Sequence, residues 1–255
     1  MVESWATHRA SFQGRHVVVT GAQGGIGHAT AVAFAEAGAV VIAVDRTSEA
    51  ASEAAASLPS PDAGTTHEAV AMDFADPASI SEGLAAVRAI SREIAALVNV
   101  AGIAEDALVH MVSADALRRT MQVNFEAQVQ VTQYITRMML RTGGGSVVNV
   151  SSVTALDGNP GQLAYGSSKA ALVNATRIFS MELAGKGIRV NAVAPGVIDT
   201  PMSRQMDDEA RERLLERVYM KRIGDPAEVA SVILWLCSPA ASYVTGQTLR
   251  IDGCM

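Results

Sequence analysis

Short runs of β-branched apolar residues alternate with longer, Ala-rich segments of helical period through nearly all of the 255-residue chain. The runs predict strands over 16–20, 39–44, 68–72, 97–100, 146–150, 188–193 and 248–251. The segments between them predict helices over 26–37, 47–58, 77–93, 114–141, 163–184 and 226–237, with Pro77 in a first turn where its missing N–H is harmless. Runs such as HVVVT show no alternation of apolar and polar positions, so both faces of the strand need cover. That requirement points to a parallel sheet between helical layers. The expected fold class is α/β: one doubly wound domain with a mostly parallel sheet of about seven strands. No repeat, low-complexity linker or composition shift divides residues 1–255. Residues 1–12 are expected to be a flexible N-terminal extension. The polar, charge-dense stretch 201–224 is expected to be a substrate lid.

Composition narrows the function. At 49% apolar residues a large core can be buried, while a net charge of −6 argues against nucleic acid or an anionic membrane as partner. Arg204, Arg211, Arg213 and Arg217 are interleaved with Asp207, Asp208, Glu209, Glu212 and Glu216, the pattern of a solvated helix face. Cys237 and Cys254 lack CxxC spacing and the histidines are scattered, so neither a disulfide framework nor a metal site is expected. The N-terminus lacks an apolar targeting core and no run reaches membrane-spanning length, so a soluble, cytoplasmic protein is expected.

Two places carry chemistry. Lysine occurs only at 169, 186 and 221, and Lys169 follows Tyr165 by four residues, on one face of a helix. A fixed cation there favours a phenolate and lowers the tyrosine pKa, which suits proton exchange. A surface tyrosine lying on a lysine stem is the simpler reading of the pair alone. The second place is Thr20-Gly21-Ala22-Gln23-Gly24-Gly25-Ile26-Gly27, where the first strand turns into the first helix. Glycines at such a turn let backbone N–H groups approach a pyrophosphate at a helix N-terminus. The second strand then ends near Asp45, which can accept hydrogen bonds from an adenosine ribose and would repel a 2′-phosphate. NAD is therefore the preferred cofactor. Arg46 could pair with a 2′-phosphate and keeps NADP open.

The TGxxxGIG turn, Asn99-Val100-Ala101-Gly102, Ser152 and Tyr165-x-x-x-Lys169 occur in an order that resembles the short-chain dehydrogenase/reductase superfamily. The resemblance runs from about Phe12 to the C-terminus. It takes in Val123-Asn124, Pro195-Gly196-Val197-Ile198-Asp199-Thr200 and Ile251-Asp252-Gly253, and is strongest to 3-oxoacyl-(acyl carrier protein) reductase-like members. Two positions depart from the usual pattern: Val100 stands where a second asparagine is common, and Cys254 where a second glycine is common.

The resemblance implies a Rossmann-type fold and a catalytic set of Asn124, Ser152, Tyr165 and Lys169. Tyr165 would exchange the proton, Ser152 would hold the carbonyl, Lys169 would tune the tyrosine and hold the nicotinamide ribose, and Asn124 would fix a water linking Lys169 to solvent. Ser151 is expected to be structural. The implied cofactor contacts are Gly21, Gln23, Gly25, Ile26, Gly27, Asp45, Arg46, Asp73, Phe74, Asn99, Ala101, Gly102, Tyr165, Lys169, Pro195, Gly196, Ile198 and Thr200. Met202, Met206, Leu214, Leu215, Val218, Tyr219 and Met220 could line the substrate side or pack in the core. A homotetramer is implied as well. The expected function is NAD(P)-dependent interconversion of a secondary alcohol and a ketone, with a 3-oxoacyl thioester as leading substrate and a sugar, polyol or other small alcohol as the rival. A non-catalytic dinucleotide sensor is the rival of another class, and a complete catalytic set argues against it.

Overall fold

The structure, a computed structural model, describes residues 12–60, 66–205 and 208–255. Seven strands make one sheet: β1 (His16–Thr20), β2 (Val40–Asp45), β3 (Glu68–Ala71), β4 (Ile94–Asn99), β5 (Gly145–Val150), β6 (Ile188–Pro195) and β7 (Thr248–Ile251). They lie in the order β3-β2-β1-β4-β5-β6-β7, and every one of these pairings is parallel. The helices of two turns or more are α1 (Gly25–Glu36), α2 (Ser48–Ser57), α3 (Pro77–Ile90), α4 (Ala114–Met121), α5 (Ala127–Thr142), α6 (Leu163–Leu183), α7 (Asp208–Arg217) and α8 (Pro226–Cys237), with a single helical turn at Thr154–Asp157.

The absence of alternation within the strands has a direct structural cause. Val17 and Val19 belong to one core cluster with Phe34, Ile233 and Leu236, while Val18 belongs to the opposite one with Val131, Ile135 and Met139. Both faces are dry, so both must be apolar. Phe12 joins the first cluster and meets Phe34 edge-on, with ring centroids 5.0 Å apart. The expected N-terminal extension therefore stops short of Phe12, which is core; its residues 1–11 lie outside those described.

Element limits differ from expectation where a local polar contact intervenes. The helix expected over 77–93 ends at Ile90, because Ser91 turns extended and its hydroxyl accepts the Glu93 N–H, which lets β4 begin at Ile94. The single helix expected over 114–141 is interrupted by a π-helical turn at Gln122–Glu126, between α4 and α5. Such turns concentrate at functional sites.

Strand order reverses between β1 and β4: the chain proceeds outward to β2 and β3 on one side and to β5, β6 and β7 on the other. A crevice opens at the carboxyl ends of strands at such a point.

Candidate active site

A cleft of about 930 Å³ occupies this crevice. At one end β1 turns into α1. Gly21 takes φ +65°, and a Cβ there would stand 2.9 Å from Ala101 Cα. At Gly27 a Cβ would overlap the Gly21 carbonyl oxygen. Only glycine lets turn and helix close on each other in this way. The N-terminus of α1 has no side-chain cap and no acidic residue in its first turn, so its leading N–H groups face the cleft unpartnered by protein side chains. An uncapped helix N-terminus on a cleft of this volume fits a dinucleotide pyrophosphate.

Asp45, at the end of β2, lines the same cleft. Its carboxylate accepts N–H bonds from Gln23 at 2.9 Å and Arg46 at 2.8 Å. The Arg46 side chain is exposed beside it and has no ion pair among the described residues. Asp73 lies two residues beyond β3, with its Oδ1 bonded to the Ala75 N–H, and Phe74 is buried next to it. Gly21, Gln23, Gly25, Ile26, Gly27, Ala101, Gly102, Pro195, Gly196, Ile198 and Thr200 also line the cleft.

At the other end, α6 brings Tyr165 and Lys169 up beneath the carboxyl end of β5. Lys169 is 3% exposed, its Nζ donates to the Val150 carbonyl at 2.8 Å, and it stands 5.9 Å from the centre of the Tyr165 ring. Burial lowers its pKa to about 8. Ser152 lines the cleft near the Tyr165 phenol, and its hydroxyl partly offsets the burial of that phenol. The neighbouring Ser151 hydroxyl donates to the Lys169 carbonyl at 3.0 Å and ties α6 to β5, a structural bond.

The structure corrects one expectation and places two of the expected residues off the cleft surface. Tyr165 titrates above, not below, the usual tyrosine range: desolvation raises its pKa, the Ser152 hydroxyl lowers it only in part, and Asp106 raises it further. Lys169, turned to the Val150 carbonyl, does not offset the burial. Asn99 is not brought to the cleft. Its amide is fully buried behind the sheet end, donating to Thr132 at 2.9 Å and Asn149 at 2.8 Å. Asn124 sits in the π-helical turn, also off the cleft surface. Its Oδ1 accepts the Ile103 N–H at 2.8 Å and its Nδ2 donates to the Ile103 carbonyl and to Ser168. It braces the strand-end loop 101–103, and that loop brings Gly102 so near that a Cβ would stand 3.3 Å from Lys169 Nζ.

Of the residues suggested for the substrate side, Met202 lines the cleft, together with Pro201 and Ser203. Val218 is core, Tyr219 and Met220 are exposed away from the cleft, and Met206 lies outside the described residues. Sequence reasoning missed a pair on the cleft wall, Glu105 and Arg119, joined at two points with Nε–Oε1 at 2.7 Å. Fourteen residues separate them across a loop and a helix, and no local spacing announces the contact.

The crossover cleft, the uncapped glycine turn and a tyrosine flanked by a serine and a lysine together define a dehydrogenase site of the short-chain type. A family model described as enoyl-(acyl carrier protein) reductase matches residues 21–255. The chain belongs to the short-chain dehydrogenase/reductase superfamily and is an NAD(P)-dependent oxidoreductase acting on CH–OH groups. It is 42% identical to a 3-oxoacyl-[acyl-carrier-protein] reductase of Thermotoga maritima, over 94% of this chain and 97% of the relative. It is 35% identical to the Escherichia coli protein of that description, over 96% and 98% of the two chains. A crystal structure from Beutenbergia cavernae, described as a candidate NAD(P)-dependent gluconate 5-dehydrogenase with NADP bound at low occupancy, superimposes with a TM-score of 0.87 at 37% identity, covering 95% of this chain and 97% of that one. Among the described residues no helix is long and apolar enough to cross a membrane, and no cluster could hold a metal.

Proposed function

We propose that the protein reduces the ketone of a 3-oxoacyl thioester to a secondary alcohol. The observation that carries this reading is the Tyr165 phenol, with Ser152 and Lys169 beside it, in the same cleft as the uncapped α1 N-terminus. A phenol that stays protonated at neutral pH suits a proton donor, and so suits reduction. The 3-oxoacyl relatives support the choice of substrate.

When bound, the nicotinamide supplies the hydride. The chain supplies everything else. Ser152 orients the carbonyl oxygen by a hydrogen bond, and Tyr165 donates its proton to that oxygen as negative charge develops. Lys169 holds a cation below the phenol and is placed to hold the nicotinamide ribose. Asn124 acts as a positioning residue through the 101–103 loop. Residues 201–224 serve as the lid, with Pro201, Met202 and Ser203 as its cleft-facing edge. The homotetramer is supported by exposed apolar side chains on α5 and α6, among them Leu140, Ile178 and Met181. A solution mass of a single 26.6 kDa chain would contradict it.

NAD(H) is the proposed cofactor, because the Asp45 carboxylate lines the cleft where β2 ends. A second reading, NADP(H), is favoured by Arg46, which has no ion pair among the described residues, and by the NADP in the Beutenbergia cavernae structure. One parallel screen separates these readings. It measures turnover of an acetoacetyl thioester, a 2-enoyl thioester and gluconate with each nucleotide, with products identified by mass spectrometry. The expected result is a hydroxyacyl product with NADH, and NADH binding weakened about tenfold in Asp45→Ala, the loss of one charge-assisted bond. Equal or better turnover with NADPH assigns the cofactor to the second reading. Turnover of gluconate alone assigns the substrate to the polyol rival.

A further inference from the structure

A polar hub at the entry to α6 has no part in the mechanism above. Gln162 precedes the first residue of α6, three positions before Tyr165. Its Oε1 accepts from the Thr154 hydroxyl at 2.9 Å and from Asn159 Nδ2 at 3.2 Å, and its Nε2 donates to the Asp106 carboxylate at 3.2 Å. These partners fix the amide's orientation, since the reverse would set its oxygen against a carboxylate. Three separate segments meet on this one side chain. The first is the loop after β4, further tied down by the Ala107 N–H bond to the Gly161 carbonyl at 2.8 Å. The second is the serine-bearing turn, where the Thr154 N–H donates to Ser152 Oγ at 3.2 Å. The third is α6, which packs so closely on that turn that a Cβ at Gly166 would stand 3.0 Å from Thr154 Cγ2.

We propose that Gln162 is a positioning residue for the reaction, clamping the Ser152 turn and the Asp106 carboxylate around the start of the helix that carries the proton donor. This role rests on the reading of Tyr165 as that donor. Through the clamp, the Asp106 carboxylate is held on the β4–α4 segment within electrostatic reach of Tyr165, where its negative charge disfavours the phenolate. The other charges nearby are Lys169, on Tyr165's own helix, and the Glu105–Arg119 and Asp157–Arg250 pairs, each internally neutralised. Asp106 thus adds to burial, the larger cause, in disfavouring the phenolate and favouring the protonated donor that reduction needs.

The test compares Gln162→Leu, Gln162→Glu, Asp106→Asn and the Gln162→Glu/Asp106→Asn double variant. In the double variant the introduced carboxylate can still accept from Thr154 and Asn159, and the introduced amide can donate to it, so the clamp is rebuilt with its charge moved. Gln162→Leu should lose about tenfold to a hundredfold in kcat, with the nucleotide KM changed less than about twofold. Gln162→Glu alone should lose comparably, because it opposes two carboxylates, and the double variant should recover most of the loss.

A second readout needs no turnover. Ultraviolet difference titration of each protein against its Tyr165→Phe counterpart isolates the Tyr165 phenol, and Asp106→Asn should move its midpoint to lower pH. Wild-type kcat in Gln162→Leu, a double variant no better than Gln162→Glu, or an unmoved midpoint in Asp106→Asn would overturn the proposal. If wild type itself turns over no carbonyl, the reductase reading fails, and the phenol titration decides the placement of Asp106 on its own.

Discussion

Tyr165→Phe is expected to lower carbonyl reduction by about 10²–10⁴-fold, the usual contribution of a positioned general acid, while nucleotide binding is retained. The substitution removes one oxygen from a side chain that lies partly open to the cleft, so the packing of α6 should survive. What is lost is the proton for the developing alkoxide, since the Ser152 hydroxyl can donate a hydrogen bond but not easily a proton. The pH dependence follows from the direction of the phenol's shift. Tyr165 lies above the usual tyrosine range, so reduction should hold up through neutral pH and fall only when the phenol ionises in strongly alkaline solution. Oxidation of the alcohol needs the phenolate and should rise over that same alkaline range. Comparing the two directions at matched pH checks the sign.

Lys169→Met is expected to have the second largest effect, about a hundredfold in kcat, by removing the cation beneath the phenol. It also carries a stability signature that separates it from ordinary core damage. The folded pKa of Lys169, about 8, lies below its ordinary value of 10.5. Below about pH 8 both folded and unfolded chains hold the proton, and the cost of burying the charge is fully present. Between about 8 and 10.5 the folded chain releases the proton first, so this group's contribution to stability rises with pH, by on the order of 3 kcal/mol in all. The methionine variant lacks this rise. At neutral pH it escapes the cost of the buried charge but leaves the Val150 carbonyl without its donor, a loss of about 1–3 kcal/mol. The two terms oppose each other, so denaturant unfolding at pH 7 should place the variant close to wild type. The gap should then widen in favour of wild type as the pH is raised to 10.

The features legible in the sequence are those whose geometry is local. The doubly wound sheet showed in strands such as HVVVT, whose neighbouring valines point into opposite cores. Tyr165 and Lys169 showed because four residues make one helical turn, and the glycine turn showed because strand, turn and helix follow one another without a gap. The direction of a side chain at a strand end was not legible. Asn99 carries the familiar motif, yet its amide points into the buried Thr132–Asn149 network instead of the cleft. The π-helical turn that aims Asn124 at the Ile103 backbone leaves no periodic trace, because it shifts register by a single residue inside an otherwise helical pattern. Contacts between distant segments were invisible for the same reason: Asp106 and Gln162 lie 56 positions apart and meet only because β4 and β5 are adjacent in the sheet. The sense of the Tyr165 shift is not legible in the sequence, because a nearby lysine can be counted there, whereas the burial of the phenol cannot.

The most direct test of the account follows the hydride and the proton together. Wild type and Tyr165→Phe would be incubated with an acetoacetyl thioester and reduced nicotinamide nucleotide deuterated at the transferable position, and the product examined by mass spectrometry. The account predicts a 3-hydroxyacyl thioester bearing one deuterium on the alcohol carbon from wild type, and almost none from Tyr165→Phe at equal nucleotide occupancy. Labelled alcohol formed at the wild-type rate by Tyr165→Phe, or no labelled product from wild type with any ketone offered, would contradict it.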